Sequence, residues 1–193
     1  MGMSILSTTA VGLVVVGILA YLIIIYNELV RLRVDNDRAW ANIDVLLKQR
    51  HDEIPNLVAT VKGYMEHERQ TLEAVTQARA ASMNAGSIPQ KAQADLLLTG
   101  ALRGLFAVSE RYPDLKANQN FLALQKRISE LEERIADRRE FFNDDVATYN
   151  TRIRQLPEVF LASMMNLPPR QLFQVSDTDR QQVEVKLARE QGA

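Results

Sequence analysis

Residues 121–156 read FLALQKRISELEERIADRREFFNDDVATYNTRIRQL. Phe121, Ile128, Ile135, Phe142, Tyr149 and Leu156 recur at every seventh position without exception, which is the seam of a helix packed on other helices. The companion positions start apolar at Leu124 and Leu131, then turn charged at Arg138, Asp145 and Arg152. Val146 and Ile153 stand ready to take over the contact, because a 3.6-residue helical period drifts against a strict heptad. The pattern predicts one long helix from about Leu115 to Gln155, broken by Pro157.

Upstream, Tyr112-Pro113-Asp114 closes one helix and opens the next, with Pro113 suited to a first turn. Before it, Leu98, Ala101, Leu102, Leu105 and Val108 form a single stripe, and Ser87 with Gln90 has the spacing of a capping box that starts this helix near Ile88. Gly100 and Gly104 sit four apart; they either admit another backbone or make room for bulky neighbours. Asn84, Gly86 and Pro89 mark the loop at 82–89.

A further seam runs through Trp40, Leu47, Ile54, Val61, Glu68 and Val75, with Ile43, Arg50, Leu57, Tyr64, Thr71 and Ala78 beside it. All but Glu68, Arg50 and Thr71 are apolar or aromatic. The stripe keeps phase across Pro55, so one helix is expected from Glu28 to about Ala81, bent at Pro55 rather than ended there. Glu68, Arg50, Arg138 and Asp145 occupy seam registers and are expected to pair across helices.

At the amino-terminal side, Ile5 to Ile25 is almost wholly apolar, and no charged side chain occurs before Glu28. These 21 residues make a helix of about 31 Å, close to the thickness of a bilayer's hydrocarbon core. A buried core helix of this length would need a polar face it does not have. The segment also lacks the basic start and small-residue cleavage site of a signal peptide. It reads as an uncleaved transmembrane anchor, with Tyr21 and Tyr26 near the interface. Arg31, Arg33, Arg38, Lys48 and Arg50 follow it, so the positive-inside rule puts the amino terminus outside and the bundle in the cytoplasm.

After Pro157 the character changes. Phe160, Met164, Met165, Leu172 and Phe173 form an apolar segment divided by Pro168-Pro169 and are the candidate interaction surface. Three fates are open to it: folding back on the bundle, a subunit contact, or the membrane surface. Ser176 with Asp179 suggests a capped last helix to about Glu190, weakly anchored by Val183, Val185 and Leu187. The expected organisation is therefore an anchor at 1–27, an antiparallel bundle at 28–157, and an apolar segment with a short helix at 158–193.

Composition agrees with an all-α class: 47% hydrophobic, 24% charged, only 6% aromatic, with 8 glycines and 6 prolines. A net charge of −1 offers no basic field for nucleic acid. With no cysteine, disulfides and thiolate metal sites are excluded. His51 and His67 fall on different faces of one helix. A zincin motif starting at His67-Glu68 would need histidine at Thr71, and a di-iron motif would need glutamate at Lys48 and Tyr64. No nucleophile elbow, phosphate loop or dinucleotide fingerprint occurs. Carboxylates interleave with bases, as in Asp137-Arg138-Arg139-Glu140, which marks a solvated ion-paired face. The reading is a non-enzyme without cofactor, metal or catalytic residue. Trp40, Ile43, Leu47, Ile54, Leu57, Tyr64, Phe121, Ile128, Ile135, Phe142 and Tyr149 are expected to be buried as its structural seam. Asn56, Asn118 and Asn120 are candidates for bonds across helices; turn polarity explains them equally well.

Several motifs closely resemble the LemA family. They are Tyr26-Asn27-Glu28-Leu29-Val30, the run AWANIDVLLKQR at 39–50, Ile54-Pro55-Asn56-Leu57-Val58, and Val61-Lys62-Gly63-Tyr64 with His67-Glu68. YPDLKANQNF at 112–121, Phe142-Asn143-Asp144 and Tyr149-Asn150-Thr151 continue the match in consistent order, from about Tyr26 to Pro157. The resemblance implies a bacterial protein with one amino-terminal span and an antiparallel helical bundle, and it brings no established catalytic residue. Family members are often encoded near membrane proteins, including inner-membrane zinc metalloproteases, which implies an envelope role. Family tails usually carry a segment rich in phenylalanine and glycine; here Met164-Met165-Asn166-Leu167-Pro168-Pro169 stands instead.

Two functions fit. One is a scaffold of the bacterial inner membrane that self-associates into a homo-oligomer and organises the lipid bilayer or partner proteins. The other is an adaptor or sensor for a membrane protease or another envelope protein. A hydrolase with dispersed carboxylates is the weakest alternative.

Overall fold

A computed structural model describes residues 2–174, with side chains from Thr8 onward. The described residues contain six helices and no strand: α1 (Gly2–Lys62), α2 (Arg69–Asn84), α3 (Ile88–Ser109), α4 (Pro113–Lys116), α5 (Gln119–Arg152) and α6 (Glu158–Met164). The chain is all-α, with a long apolar amino-terminal helix that continues into packed helical structure. The helix expected from Ser176 to Glu190 lies outside the described residues.

The fold divides into two compact units, and α1 and α5 contribute to both. The first takes the chain up to Ala39 together with Asp144–Arg170. Its amino-terminal portion is the apolar run, whose mean hydropathy reaches 2.6 while only 6% of it is buried inside the molecule. Leu13 is 74% exposed and Ile24 64%. A core helix would hide such side chains, and this helix is long and apolar enough to cross a membrane. Lower in the same helix, Ile25 and Leu29 pack with Tyr149, Ile153, Ala162 and Leu167, and Leu32, Leu161 and Met165 lie against them.

The second unit runs from Trp40 to Asn143 and, among the described residues, includes Gln171 to Gln174. The bond between His51 and Ser82 and the turn at 63–68 set α2 antiparallel to α1. Lys91 meets Asp44, and Arg111 meets Glu68, so α3 runs parallel to α1. Arg127 meets Glu53, and the Phe142 ring lies 5.4 Å from that of Trp40, which makes α5 antiparallel. The result is an up-down-up-down four-helix arrangement. Its core gathers Ile54, Leu57, Val61, Val75, Leu98, Leu102, Leu105, Leu115, Phe121 and Ile128.

Local chemistry sets the helix ends. Ser87 Oγ accepts from the Gln90 amide at 3.4 Å, and Gln90 Oε1 accepts from the Ser87 amide at 3.2 Å, a complete capping box on α3. Asn118 Oδ1 accepts from the Asn120 and Phe121 amides and so caps α5. The helix expected to begin near Leu115 is thereby split into the single turn of α4 and the long α5. The helix expected to reach Ala81 also stops earlier. At Lys62 the chain tightens, with the Tyr64 and Met65 amides both bonding to the Val61 carbonyl at 3.0 Å, and α2 begins afresh at Arg69. Pro55 lies inside α1, which continues to Lys62.

Gly100 and Gly104 serve neither purpose foreseen for them within this chain. A Cβ at either would meet nothing within 4 Å, and both face outward.

Candidate functional site

Of the expected seam, Ile43, Leu47, Ile54, Leu57, Phe121, Ile128, Ile135, Phe142 and Tyr149 are buried, and Trp40 is half-buried. Tyr64 is a correction. It is 40% exposed, and Met65, at 0%, holds the inward position instead. The heptad register applies only while the helix continues, and α1 has ended two residues earlier. The Tyr64 hydroxyl accepts from Asn118 Nδ2 at 3.1 Å. Leu156 likewise leaves its seam once α5 ends at Arg152, and Ile153 fills the buried position.

The apolar segment divides in its fate. Phe173 is buried against Trp40, with ring centroids 5.8 Å apart, and its amide donates to Asn143 Oδ1 at 2.8 Å. Met165 and Leu172 are half-buried. Phe160 and Met164 remain 68% and 76% exposed. The return strand of chain is held by side chains of α5 in the first unit. Asn150 accepts from the Arg170 amide and donates to the Arg170 carbonyl, at 2.8 and 2.9 Å, and the Tyr149 hydroxyl donates to the Pro168 carbonyl.

The most concentrated polar chemistry lies inside the four-helix unit. Arg50, from a seam position of α1, is 1% exposed and is the largest fully buried side chain among the described residues. One of its nitrogens pairs with Asp95 of α3; the other donates to Thr99 Oγ1 at 3.1 Å and lies 3.7 Å from Glu132 of α5. A buried guanidinium is tolerable only when so surrounded. Burial pushes the Glu132 carboxyl above its ordinary range. Nearby Arg50 and Arg103 and a bond to Thr99 pull it back, and Asp95 adds to the rise. A cavity of about 190 Å³ borders this group, lined also by Arg103 and Arg139. Arg50 Nε and Glu132 Oε1 make no hydrogen bond within the protein, and the cavity has room for water to reach them.

His51, one residue on, bonds through Nε2 to Ser82 Oγ at 2.7 Å. Burial first, then the positive charges of Arg50, Arg79 and Lys91, hold its pKa down to about 4 against the opposing pull of Asp52. The His51 carbonyl accepts from Arg79 Nε at 2.9 Å. That carbonyl is the one a helical amide at position 55 would have bonded, and proline has none to give. Arg79 therefore repairs the defect left by Pro55.

The other charged seam residues differ. Glu68 Oε1 accepts from Arg111 at 2.8 Å and from the Tyr112 hydroxyl at 3.2 Å. Arg138 lies over the Phe141 ring. The Asp145 carboxyl is raised by burial and by Asp35 and Asp144, while its carbonyl accepts from Asn36, a buried residue that also donates to Leu32. Among the described residues, no three His, Asp or Glu side chains come together as a metal would require. The charges of the Arg50 group face one another across α1, α3 and α5.

A helix apolar enough to cross a membrane, joined to helices packed around an internal ion-paired layer, defines a membrane-associated helical-bundle protein. Comparison with known proteins agrees. The model of the LemA family matches residues 39–187, and the chain belongs to that family. It is similar to magnetosome protein MamQ 2 of Paramagnetospirillum magneticum, 27% identical over 186 residues that cover 83% of this chain and 68% of the relative. It is also similar to protein LemA of Metamycoplasma hominis, 28% identical over 163 residues, 82% of this chain and 73% of the relative. Magnetosome protein MamQ of Magnetospirillum gryphiswaldense is 26% identical over 173 residues, 76% and 64% of the two chains.

Proposed function

We propose that this protein is a membrane-anchored, non-catalytic scaffold of the bacterial envelope that self-associates and organises membrane or partner proteins. The observation that carries the reading is α1 itself: one helix supplies both the lipid-soluble run and a wall of the four-helix unit. Self-association is supported by the outer face of α3. Leu96 and Leu97 are 59% and 57% exposed there, and Gly100 and Gly104 beside them leave space for a close helix approach. The buried seam, from Trp40 to Tyr149, acts in this reading as a determinant of folding. Relatives named LemA and relatives named as magnetosome proteins both align with most of this chain, which suits an architectural part better than one substrate's chemistry.

In this reading the span lies in the inner membrane with the amino terminus outside and the bundle in the cytoplasm, which the arginines that follow the span support. An active carboxyl-terminal alkaline phosphatase fusion would reverse that orientation. Crosslinking of the full-length protein in membranes tests the scaffold: a ladder of its own multiples is expected, and a persistent monomer would refute it. The adaptor reading is favoured by one feature, an open groove of about 1050 Å³ at the end of α1 and along α2, lined by Val58, Met65, His67, Arg69, Leu72 and Thr76. A foreign membrane protein captured in fixed ratio would select that reading instead.

A further inference from the structure

We propose that the elbow between α5 and α6 is a membrane-interface foot, in which Leu156, Phe160 and Met164 enter the headgroup–acyl boundary of the bilayer that α1 crosses. The inference rests on the reading of 5–25 as a span, and not on self-association.

The register of the first unit sets the level. Asn36 bonds to the Asp145 carbonyl, and α1 and α5 run in opposite senses there. Moving seven residues from Asn36 to Leu29 along α1, and seven from Asp145 to Arg152 where α5 ends, brings the end of α5 opposite a point one helical turn from Ile25. The packing says the same directly. Ile25, the last residue of that run, is 3% exposed because it lies in one cluster with Ile153, Ala162 and Leu167. The inner face of α6 thus covers the exit of the span.

Its outer face is the unexplained part. Phe160 and Met164 stand four apart on α6 and are 68% and 76% exposed, and Leu156, just before the helix begins, is 74% exposed. Three large apolar side chains so displayed would be costly in water. They adjoin a helix whose neighbouring Ile24 is 64% exposed, and lipid is the solvent that both share. Arg31 and Arg33 follow Ile25 by six and eight residues and Arg154 precedes Leu156 by two, all exposed, and such charges near a span suit anionic headgroups. Apolar residues on one side and arginines nearby are the makeup of a segment lying about 5–10 Å into the interface.

The absence of cysteine makes single labels unambiguous. The full-length variants Phe160→Cys, Met164→Cys, Leu13→Cys and Ser129→Cys would carry a polarity-sensitive fluorophore in vesicles of phosphatidylethanolamine and phosphatidylglycerol doped with spin-labelled lipid. Phe160 and Met164 lie outside the packed cluster, so labelling leaves the unit folded. Probes at 160 and 164 should be quenched several-fold more than at 129 by a spin label near the headgroup end of the acyl chain, and should be shielded from iodide. Strong quenching at 13 with 160 and 164 behaving like 129 would refute the foot and leave the anchor intact. Shielding at 160 and 164 that grows with protein density, without lipid quenching, would also refute it and assign the face to a second copy. No quenching at 13 would remove the span reading and the foot with it.

Discussion

Arg50 brings a full charge into an otherwise apolar seam, and Asp95, Glu132 and Thr99 offset its desolvation from two other helices. Arg50→Met should lower stability by about 3–5 kcal/mol, because both carboxylates are then left without their cation; chemical denaturation measures it. Removing Asp95 together with Arg50 should recover much of that loss. Arg79 carries a second, quieter duty. Arg79→Met strands the His51 carbonyl and should cost about 1–3 kcal/mol, and Pro55→Ala, which restores an amide to that carbonyl, should shrink the penalty in a double-mutant cycle. His51 supplies a pH dependence. Its folded pKa of about 4 lies below the ordinary 6.5, so the unfolded chain binds the proton first as pH falls. The stability associated with neutral His51 is complete above 6.5 and drains away from there toward about 4. Urea unfolding across that window should show the decline, and His51→Gln should flatten it.

The helices and their connections follow from a few positions each. The seven-residue recurrence in 121–149 is visible without any partner, because burial of one helical face imposes its period on the chain. The capping box of Ser87 and Gln90 is equally local. By contrast, the break after Lys62 was hidden by apolar residues that keep phase on both sides, so that Tyr64 stood where Met65 belongs. The duties of Asn143 and Asn150 were hidden too, although the two stand a heptad apart in quoted motifs. Each binds a backbone twenty or more residues later, Arg170 for Asn150 and Phe173 for Asn143, and no periodicity reports such a bond. Asn150→Ala should free the segment around Arg170. Hydrogen exchange there should rise markedly, with a stability loss of about 1–3 kcal/mol for the two bonds removed.

Taken entire, the molecule joins a helix suited to lipid with helices suited to water. Attachment through the proposed span would rest on apolar area rather than on charge, so membranes washed with high salt or alkaline carbonate should retain the protein, and mild detergent should release it; immunoblotting of the fractions decides. The helical class, the long apolar helix and the family were readable from residue order, because hydrophobic period, helix caps and unbroken apolar length are properties of neighbouring positions. Which carboxylates answer Arg50, which carbonyl claims Arg79, and how α6 covers Ile25 while Phe160 stays exposed depended on folding. Those pairings join residues far apart in the chain, and their register is set by the collective packing of several helices at once.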